Sequence, residues 1–328
     1  MLGIDVSKDK LNYCLLGSDR RPLLEGEVRN NAEGIAELLS KIDPKAPMVL
    51  EPTGRYGLAA VKTARANGRL VLQAQTIDAK HVLNGLSRRA KTDKLDSRGL
   101  AKYGMADDLI RPYPVKAKDV DELDQLLSVR RCLSGSITRF RLQRQSLDLA
   151  GNNIDKILNE LKAQLKALDA QILSLVKSNS RFEPALRMLD VPGIGPVTAA
   201  AACSRLTHKQ FEYPDQFVAY IGLALKVIDS GKRAGRRRLE KRGDAELRRL
   251  FYMAAQSNIR IAASPFKAQY LKHREKGLSS TAAICAVARK IAMLCWSLHK
   301  HGTKYSSERV GARPAPKHDA PSEEEHAQ

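Results

Sequence analysis

MLGIDVSKDKLNYCLL, residues 1–16, decides how the first third of the chain is read. Two short apolar runs, Leu2–Ile4 and Leu11–Leu16, flank the polar quartet SKDK. Runs of that length around a turn-forming quartet read as two strands joined by a turn. Asp5 then stands at the end of the first strand. Downstream, Ile35–Ile42 has helical spacing, and Met48–Leu50 is a short strand ending at Glu51. Gly57–Asn67 reads as a helix stopping near Gly68, Leu70–Ala74 as a strand, and Thr92–Met105 as a helix. RPYPV, residues 111–115, breaks the pattern. Alternating strands and helices predict an α/β fold for residues 1–115.

Four acids stand out in this segment. Asp5 lies in GIDVSKDKL, Glu51 in MVLEPTGRYG, and Asp93 and Asp96 in KTDKLDSRGLA. The spacing of Asp93 and Asp96 puts both on one helix face. Carboxylates at strand ends and at a helix start can converge across an open sheet, and hard cations such as Mg²⁺ or Mn²⁺ then remove their mutual repulsion. Two such ions about 4 Å apart clamp a phosphodiester and activate the attacking oxygen. Taken singly, each acid has a plainer reading as a turn residue, a solvated strand end or a helix cap. The ordered set points instead to a metal-dependent nuclease fold.

The rest of the chain is helical. Ile154, Leu158, Leu161, Leu165, Leu168, Ile172 and Leu175 form an a/d seam in the connecting region, residues 116–182. An antiparallel helical hairpin and an intersubunit coiled coil both fit it. Arginines 130, 131, 139, 141 and 144 read equally as a nucleic-acid channel or as a wet helix face. Residues 183–302 carry LDVPGIGPVTAAAA (189–202), the pattern of a helix-hairpin-helix. Gly193 and Gly195 would let the backbone approach a phosphate, with the following helix N-terminus adding amide donors. KVIDSGKRAG places Ser230 after the apolar pair Val227–Ile228 and before a basic run of Lys232, Arg233, Arg236, Arg237, Arg238, Lys241 and Arg242. Such a run binds phosphates and stabilises a charged phosphoryl transition state. A serine needs an activating neighbour, and no histidine lies nearby in sequence, so a Ser-His-Asp arrangement is not indicated. Residues 303–328, rich in Pro, Ala, Ser and Glu, read as a disordered tail.

A net charge of +20 on 328 residues favours a polyanionic partner. Aromatics make up 5% of the chain, so base stacking should not dominate. No run of 18 or more apolar residues occurs, so no spanning helix and no membrane partner is expected. Charges at Asp5, Lys8, Asp9 and Lys10 argue against a signal peptide. The five cysteines lack metal-site spacing and read as small buried hydrophobes in a reducing cytoplasm.

These motifs together resemble the DEDD transposases of the insertion sequence 110 group, which are similar to Piv-type DNA invertases. GIDVSKDKL, EPTGRYG and KTDKLDSRGLA carry the likeness first, and PGIGPVTAA, FVAYIGL, DSG and GDAELRRLFYMAA extend it to about residue 300. The resemblance implies a RuvC-like, ribonuclease-H-like domain over residues 1–115, with Asp5, Glu51, Asp93 and Asp96 as its metal-site acids. It implies a mainly helical connecting region and a C-terminal transposase domain over residues 183–302, with Ser230 as catalytic serine. It further implies a bacterial, nucleoid-associated recombinase acting on double-stranded DNA, guided by an RNA from its own element, and assembled as a dimer or tetramer. A DNA invertase, a RuvC-like nuclease without serine chemistry, and a nucleic-acid-binding protein with a decayed site are the alternatives. The sequence departs from the family's pattern at Leu225, where a proline is common. It departs again at Glu240–Lys241–Arg242–Gly243, where a serine-lysine pair usually precedes the glycine.

Overall fold

The computed structural model describes residues 1–52, 54, 56–74, 93–106, 111–114, 116–147, 151–228 and 236–307. They fall into two compact units, Met1–Val115 and Lys116–Gln328. In the first unit, strands β1 (Leu2–Val6) and β2 (Lys10–Leu16) form the expected hairpin. Its turn is closed twice: the Ser7 backbone amide donates to the Lys10 carbonyl at 3.0 Å, and Ser7 Oγ donates to the same oxygen at 2.8 Å. Strand β3 (Pro22–Arg29) extends the hairpin and was not foreseen. Its residues PLLEGEVR alternate between half-buried and exposed. An edge strand needs only one modestly apolar face, and this one carries two glutamates and a glycine that hide the pattern.

Helix α1 (Ala32–Ser40) is capped by Asn31, whose side chain accepts from the Gly34 amide at 2.9 Å. Strand β4 (Met48–Leu50), helix α2 (Leu58–Ala66), strand β5 (Val71–Gln73), helix α3 (Asp93–Tyr103) and a short strand β6 (Arg111–Pro112) follow. The sheet order is β3-β2-β1-β4-β5-β6, with β1, β4 and β5 mutually parallel.

Strand alternation sorts the side chains into two layers. Leu2, Ile4, Val6, Met48 and Leu50 pack under α1 and α2. Cys14, Leu16, Val49 and Leu72 take the opposite face with Leu100, Ala101 and Tyr103 of α3. Gly3 lies on that second face, where α3 rests directly on the β1 backbone. A Cβ at Gly3 would strike the Ser97 carbonyl oxygen and the Ala101 nitrogen, and would stand 2.8 Å from the Ala101 Cβ. Gly3→Ala is therefore expected to push α3 off the sheet and to destabilise the protein by about 3 kcal/mol, the upper end for overpacking. Urea unfolding followed by circular dichroism would read this as a lower midpoint.

The second unit begins with α4 (Lys118–Arg144) and α5 (Gly151–Ser178), which pack as the antiparallel hairpin. Ile154 and Leu158 of the predicted seam pack on Ile137, and Leu168 and Ile172 enter the larger core. Three ion pairs follow the hairpin: Arg144–Asp155 at 3.1 Å, Arg130–Asp169 at 2.5 Å and Arg181–Asp119 at 2.8 Å. Arg131 pairs with Glu246 at 3.5 Å. Arg130, Arg131 and Arg144 thus serve as internal ties.

After a 3₁₀ turn at Ser180–Phe182 come α6 (Glu183–Met188), α7 (Pro196–His208) and α8 (Pro214–Tyr220). The hairpin β7 (Leu225–Ile228) and β8 (Arg236–Leu239) precedes α9 (Ala245–Asn258), α10 (Pro265–Glu275) and α11 (Ser280–His301). One core joins Val120 and Leu123 of α4 to α5, α7, α9 and α11.

One expectation, the burial of all five cysteines, is corrected here, and one helix bears on the expectation of no spanning helix. Helix α11 is long and apolar enough to cross a membrane by length and composition alone, and half of its apolar stretch is buried in the fold. No continuous apolar run flagged it because Arg289 and Lys290 interrupt it. Its apolar face, including Val287, Ile291 and Cys295, fills the core. Among the cysteines, Cys14, Cys203, Cys285 and Cys295 are buried, but Cys132 is exposed on the outer side of α4. The tail expected over residues 303–328 lies, from 308 onward, outside the described residues.

A polar hub sits inside this helical unit. Asp124 of α4 accepts from Ser204 Oγ at 2.5 Å, from Lys116 Nζ at 2.5 Å and from Arg205. Arg205 Nε also bonds Asp244 at 3.0 Å, and Asp244 caps α9 through the Leu247 amide at 2.9 Å. Burial alone pushes the Asp124 carboxyl up, but Arg205, Lys116 and Ser204 outweigh it and hold the group below the ordinary carboxylate range. A carboxylate depressed in the folded state adds stability that is present above its unfolded pKa, near 3.9, and is lost as pH falls through the folded value. Asp124→Asn should cost about 2 kcal/mol at neutral pH by leaving Arg205 undercompensated. In urea titrations the gap between variant and parent should close as pH falls below about 4.

Candidate carboxylate site and nucleic-acid face

The alternation that builds the core also places the acids. Leu2, Ile4 and Val6 point to α1 and α2, so Gly3 and Asp5 take the α3 face of β1. Strands β1 and β4 pair Gly3 with Val49 and Ile4 with Leu50. Glu51, the next residue after β4, therefore follows in step with Asp5, on neighbouring strands about 4.8 Å apart. Both residues are half-buried, and both are engaged in interactions within the fold.

Helix α3 runs opposite to β1. Its middle, Ser97 and Ala101, lies at Gly3, and Gly104 just beyond its end lies against Val49 and Met1, toward the strands' starts. The first turn of α3 therefore points to the strands' ends. From Gly3 to Asp5 a strand advances about 7 Å. From Ala101 back to Asp96 a helix advances about 7.5 Å. Asp96 thus lies on the same side of the Gly3 contact as Asp5. It also precedes Leu100 by one turn, and Leu100 packs with Val49 of β4. Asp96 is half-buried, and Asp93 opens the same helix.

The structure brings together, at one edge and on one sheet face, the three elements that carry the four predicted acids. Among the described residues no three carboxylate, thiol or imidazole side chains already stand in a metal-holding group. The Asp93 side chain lies outside the described set. The donors offered are all carboxylate oxygens, which suits a hard cation and not a thiophilic one.

Two asparagines in this region were not foreseen. Asn30, just after β3, donates from Nδ2 to the Ser7 carbonyl at 2.8 Å and to the Tyr56 carbonyl at 3.0 Å. Ser7 belongs to the turn after β1 and Tyr56 to the turn after β4, so one amide fastens together the loops that follow Asp5 and Glu51. Asn12 of β2 faces Asp5 across the hairpin and is buried. The available signal was an amide side chain inside the otherwise apolar stretch LNYCLL. Asn30→Ala should cost about 1–2 kcal/mol of stability. It should also speed amide hydrogen exchange in residues 7–10 and 54–57 while leaving β2 protected, as read by mass spectrometry.

In the second unit, Ser230, Lys232 and Arg233 lie outside the described residues, as do the side chains of Arg236 and Arg237. Their flanks form the β7–β8 hairpin, which pairs Ile228 with Arg236 and Lys226 with Arg238. Arg238, Lys241 and Arg242 are exposed. Lys241 takes a left-handed φ of 58°, and its carbonyl accepts from Arg248 at 3.1 Å.

The Pro-Gly-Ile-Gly turn joins α6 to α7 as predicted, but its two glycines differ. Gly193, at φ 76°, sits against the Ala254 carbonyl and Asn258, so its missing side chain serves packing on α9. A Cβ at Gly195 would meet nothing within 4 Å. Gly195 opens α7 without a side-chain cap and lines a cavity of about 560 Å³ with Arg130, Ser134, Thr198 and Arg249.

Three elements bearing acids thus end on one side of the sheet, and the helical unit is rich in Lys and Arg. Comparison with known proteins goes further. Residues 2–149 match a transposase model of the DEDD, IS110 type, and residues 185–271 match the model "Transposase IS116/IS110/IS902 family". Two transposase models of the IS110 group thus match successive stretches of the chain. A "Probable family 20 transposase" of Pseudomonas aeruginosa is 31% identical over 160 residues, 46% of each protein. An uncharacterized 44.8 kDa protein of insertion element IS116 from Streptomyces clavuligerus is 31% identical over 149 residues, 44% of this chain and 37% of the relative. The match thus spans less than half the length of these two relatives. A "Pilin gene-inverting protein" of Moraxella bovis is 22% identical over 308 residues, 90% of this chain and 94% of the relative.

Proposed function

We propose that the protein is a DNA recombinase that cuts and rejoins double-stranded DNA at the ends of an insertion sequence and at its target. The observation that carries this reading is the arrival of β1, β4 and the start of α3 at one sheet edge, each bearing a predicted acid. The strand order β3-β2-β1-β4-β5, antiparallel and then parallel, supports a RuvC-like reading of residues 1–115. On this reading residues 116–182 connect that domain to a C-terminal transposase domain at 183–302, followed by the tail at 303–328.

Asp5, Glu51, Asp93 and Asp96 would hold Mg²⁺ or Mn²⁺. Such a cation, when bound, polarises a scissile phosphate and offsets the charge that builds on it. Ser230 Oγ attacks the phosphorus and forms a phosphoserine ester as the bond to the departing sugar oxygen breaks. The serine proton passes through solvent to that oxygen. The ester conserves the bond energy, so rejoining needs no external energy source. Lys232, Arg233, Arg236, Arg237, Arg238, Lys241 and Arg242 clamp backbone phosphates, with Gly195 and the α7 amides as a further contact. The family resemblance, and not the charge, supports an element-encoded guide RNA as a second polyanion, on a dimer or tetramer at the bacterial nucleoid. The Moraxella match across nearly the whole chain favours one second reading, site-specific inversion by the same chemistry.

The test incubates the protein with Mg²⁺, element-end DNA and RNA transcribed from the element's non-coding flank. A denaturant-resistant DNA–protein adduct is expected. It should fall at least about 100-fold in both Ser230→Ala and Asp96→Ala, as expected when a nucleophile or a metal-holding acid is removed. Cleavage that persists in Ser230→Ala with no adduct overturns the serine step and leaves a metal-dependent nuclease.

A further inference from the structure

Asn12 lies in β2 directly opposite Asp5, with 3% of its surface exposed. Its Nδ2 is buried and has no hydrogen-bond partner. An amide donor left unmade in a protein interior costs about 1–3 kcal/mol. An apolar residue would avoid that cost, as Leu11, Cys14 and Leu16 of the same strand do.

The position is specific. Cys14 pairs with Gly3 and packs on Ala101, so Asn12, two residues away in β2, shares the face under α3. It lies one step further toward the end of β1, beneath the start of the helix that carries Asp93 and Asp96. Opposed residues in an antiparallel pair hold their Cβ atoms about 5 Å apart. That spacing suits a short amide-to-carboxylate hydrogen bond. A carboxylate accepts at about four positions, so such a bond would add to the interactions Asp5 already has. A donor is also the right kind of neighbour here. It favours the ionised carboxylate and adds no further negative charge to a crowded acidic edge.

We propose that Asn12 is a positioning residue of the acidic site: once a divalent cation is bound, its side-chain amide, unpartnered in this structure, donates to the Asp5 carboxylate and fixes the orientation in which that carboxylate meets the cation. The inference rests on the metal-site reading above. Outer partners of this kind, when removed, usually weaken metal affinity by about 10- to 100-fold.

The test is Mn²⁺ titration calorimetry on the full-length protein without nucleic acid, alongside thermal melts in EDTA. Asn12→Leu should melt at or above the parent in EDTA, because the unpaired amide is gone, yet bind Mn²⁺ about 10-fold more weakly or worse. Asn12→Asp, close to isosteric, should do the reverse: carboxylate against carboxylate lowers its melting temperature in EDTA, and Mn²⁺ raises it by more than in the parent. Parent-like Mn²⁺ affinity in folded Asn12→Leu overturns the proposal, whatever its melting temperature. Should Asn12→Leu not fold, a parent-like Mn²⁺ shift in Asn12→Asp overturns it instead. Asp5→Asn separates the two levels of the argument. If the parent binds no Mn²⁺, or Asp5→Asn binds as the parent does, the metal-site reading itself falls. If Asp5→Asn loses binding while both Asn12 variants keep it, only the role of Asn12 falls.

Discussion

Gly3 has no side chain, and α3 occupies the space that one would fill. The close seat fixes the height and direction of the helix over the sheet, and with them the level of Asp96 relative to Asp5. A helix held further out by even a methyl group would carry its first turn away from the ends of β1 and β4. Packing and site geometry are therefore one constraint in this unit. The packing of Val49 on Leu100 also seats α3, the helix that carries Asp93 and Asp96, on the sheet.

Opposite demands meet at that edge. The core asks for apolar alternation along β1, β2 and β4, while the chemistry asks for carboxylates where the alternation runs out. The chain satisfies both by placing an acid near the end of β1 and another directly after β4. Asn30 then binds the two exit loops to each other, so strand ends that would otherwise fray are held by one amide. The helical unit solves its polar problem differently. Asp124, Arg205 and Asp244 are paired within the interior, and the two aspartates reach from α4 to the cap of α9.

Much of this was legible because it rests on periodicity. The β1–β2 hairpin, β4, α2 and the α4–α5 hairpin follow from apolar spacing. The acids followed from their places at the ends of those runs. What escaped notice depends on partners distant in sequence. Strand β3 is legible only once β2 is known to need a neighbour. Asn30 gains its meaning from carbonyls 23 and 26 positions away. Gly193 looked like a phosphate approach, but its missing side chain faces α9, an element some 60 residues downstream. Arginines 130, 131 and 144 read equally as a nucleic-acid channel or a wet helix face, and their aspartate and glutamate partners show only in the fold.

The uneven burial of the cysteines has a practical side. Burial pushes Cys14 and Cys295 up to about 12 and Cys203 to about 11, and raises Cys285 as well, so at neutral pH these four are shielded thiols with almost no thiolate. Cys132 alone stands in solvent, on the outer face of the long helical hairpin. The unaltered protein therefore offers one address for a maleimide dye or spin label. It sits on an element whose inner face is tied down and whose outer face is open, so a label there can report assembly on nucleic acid without any engineered residue.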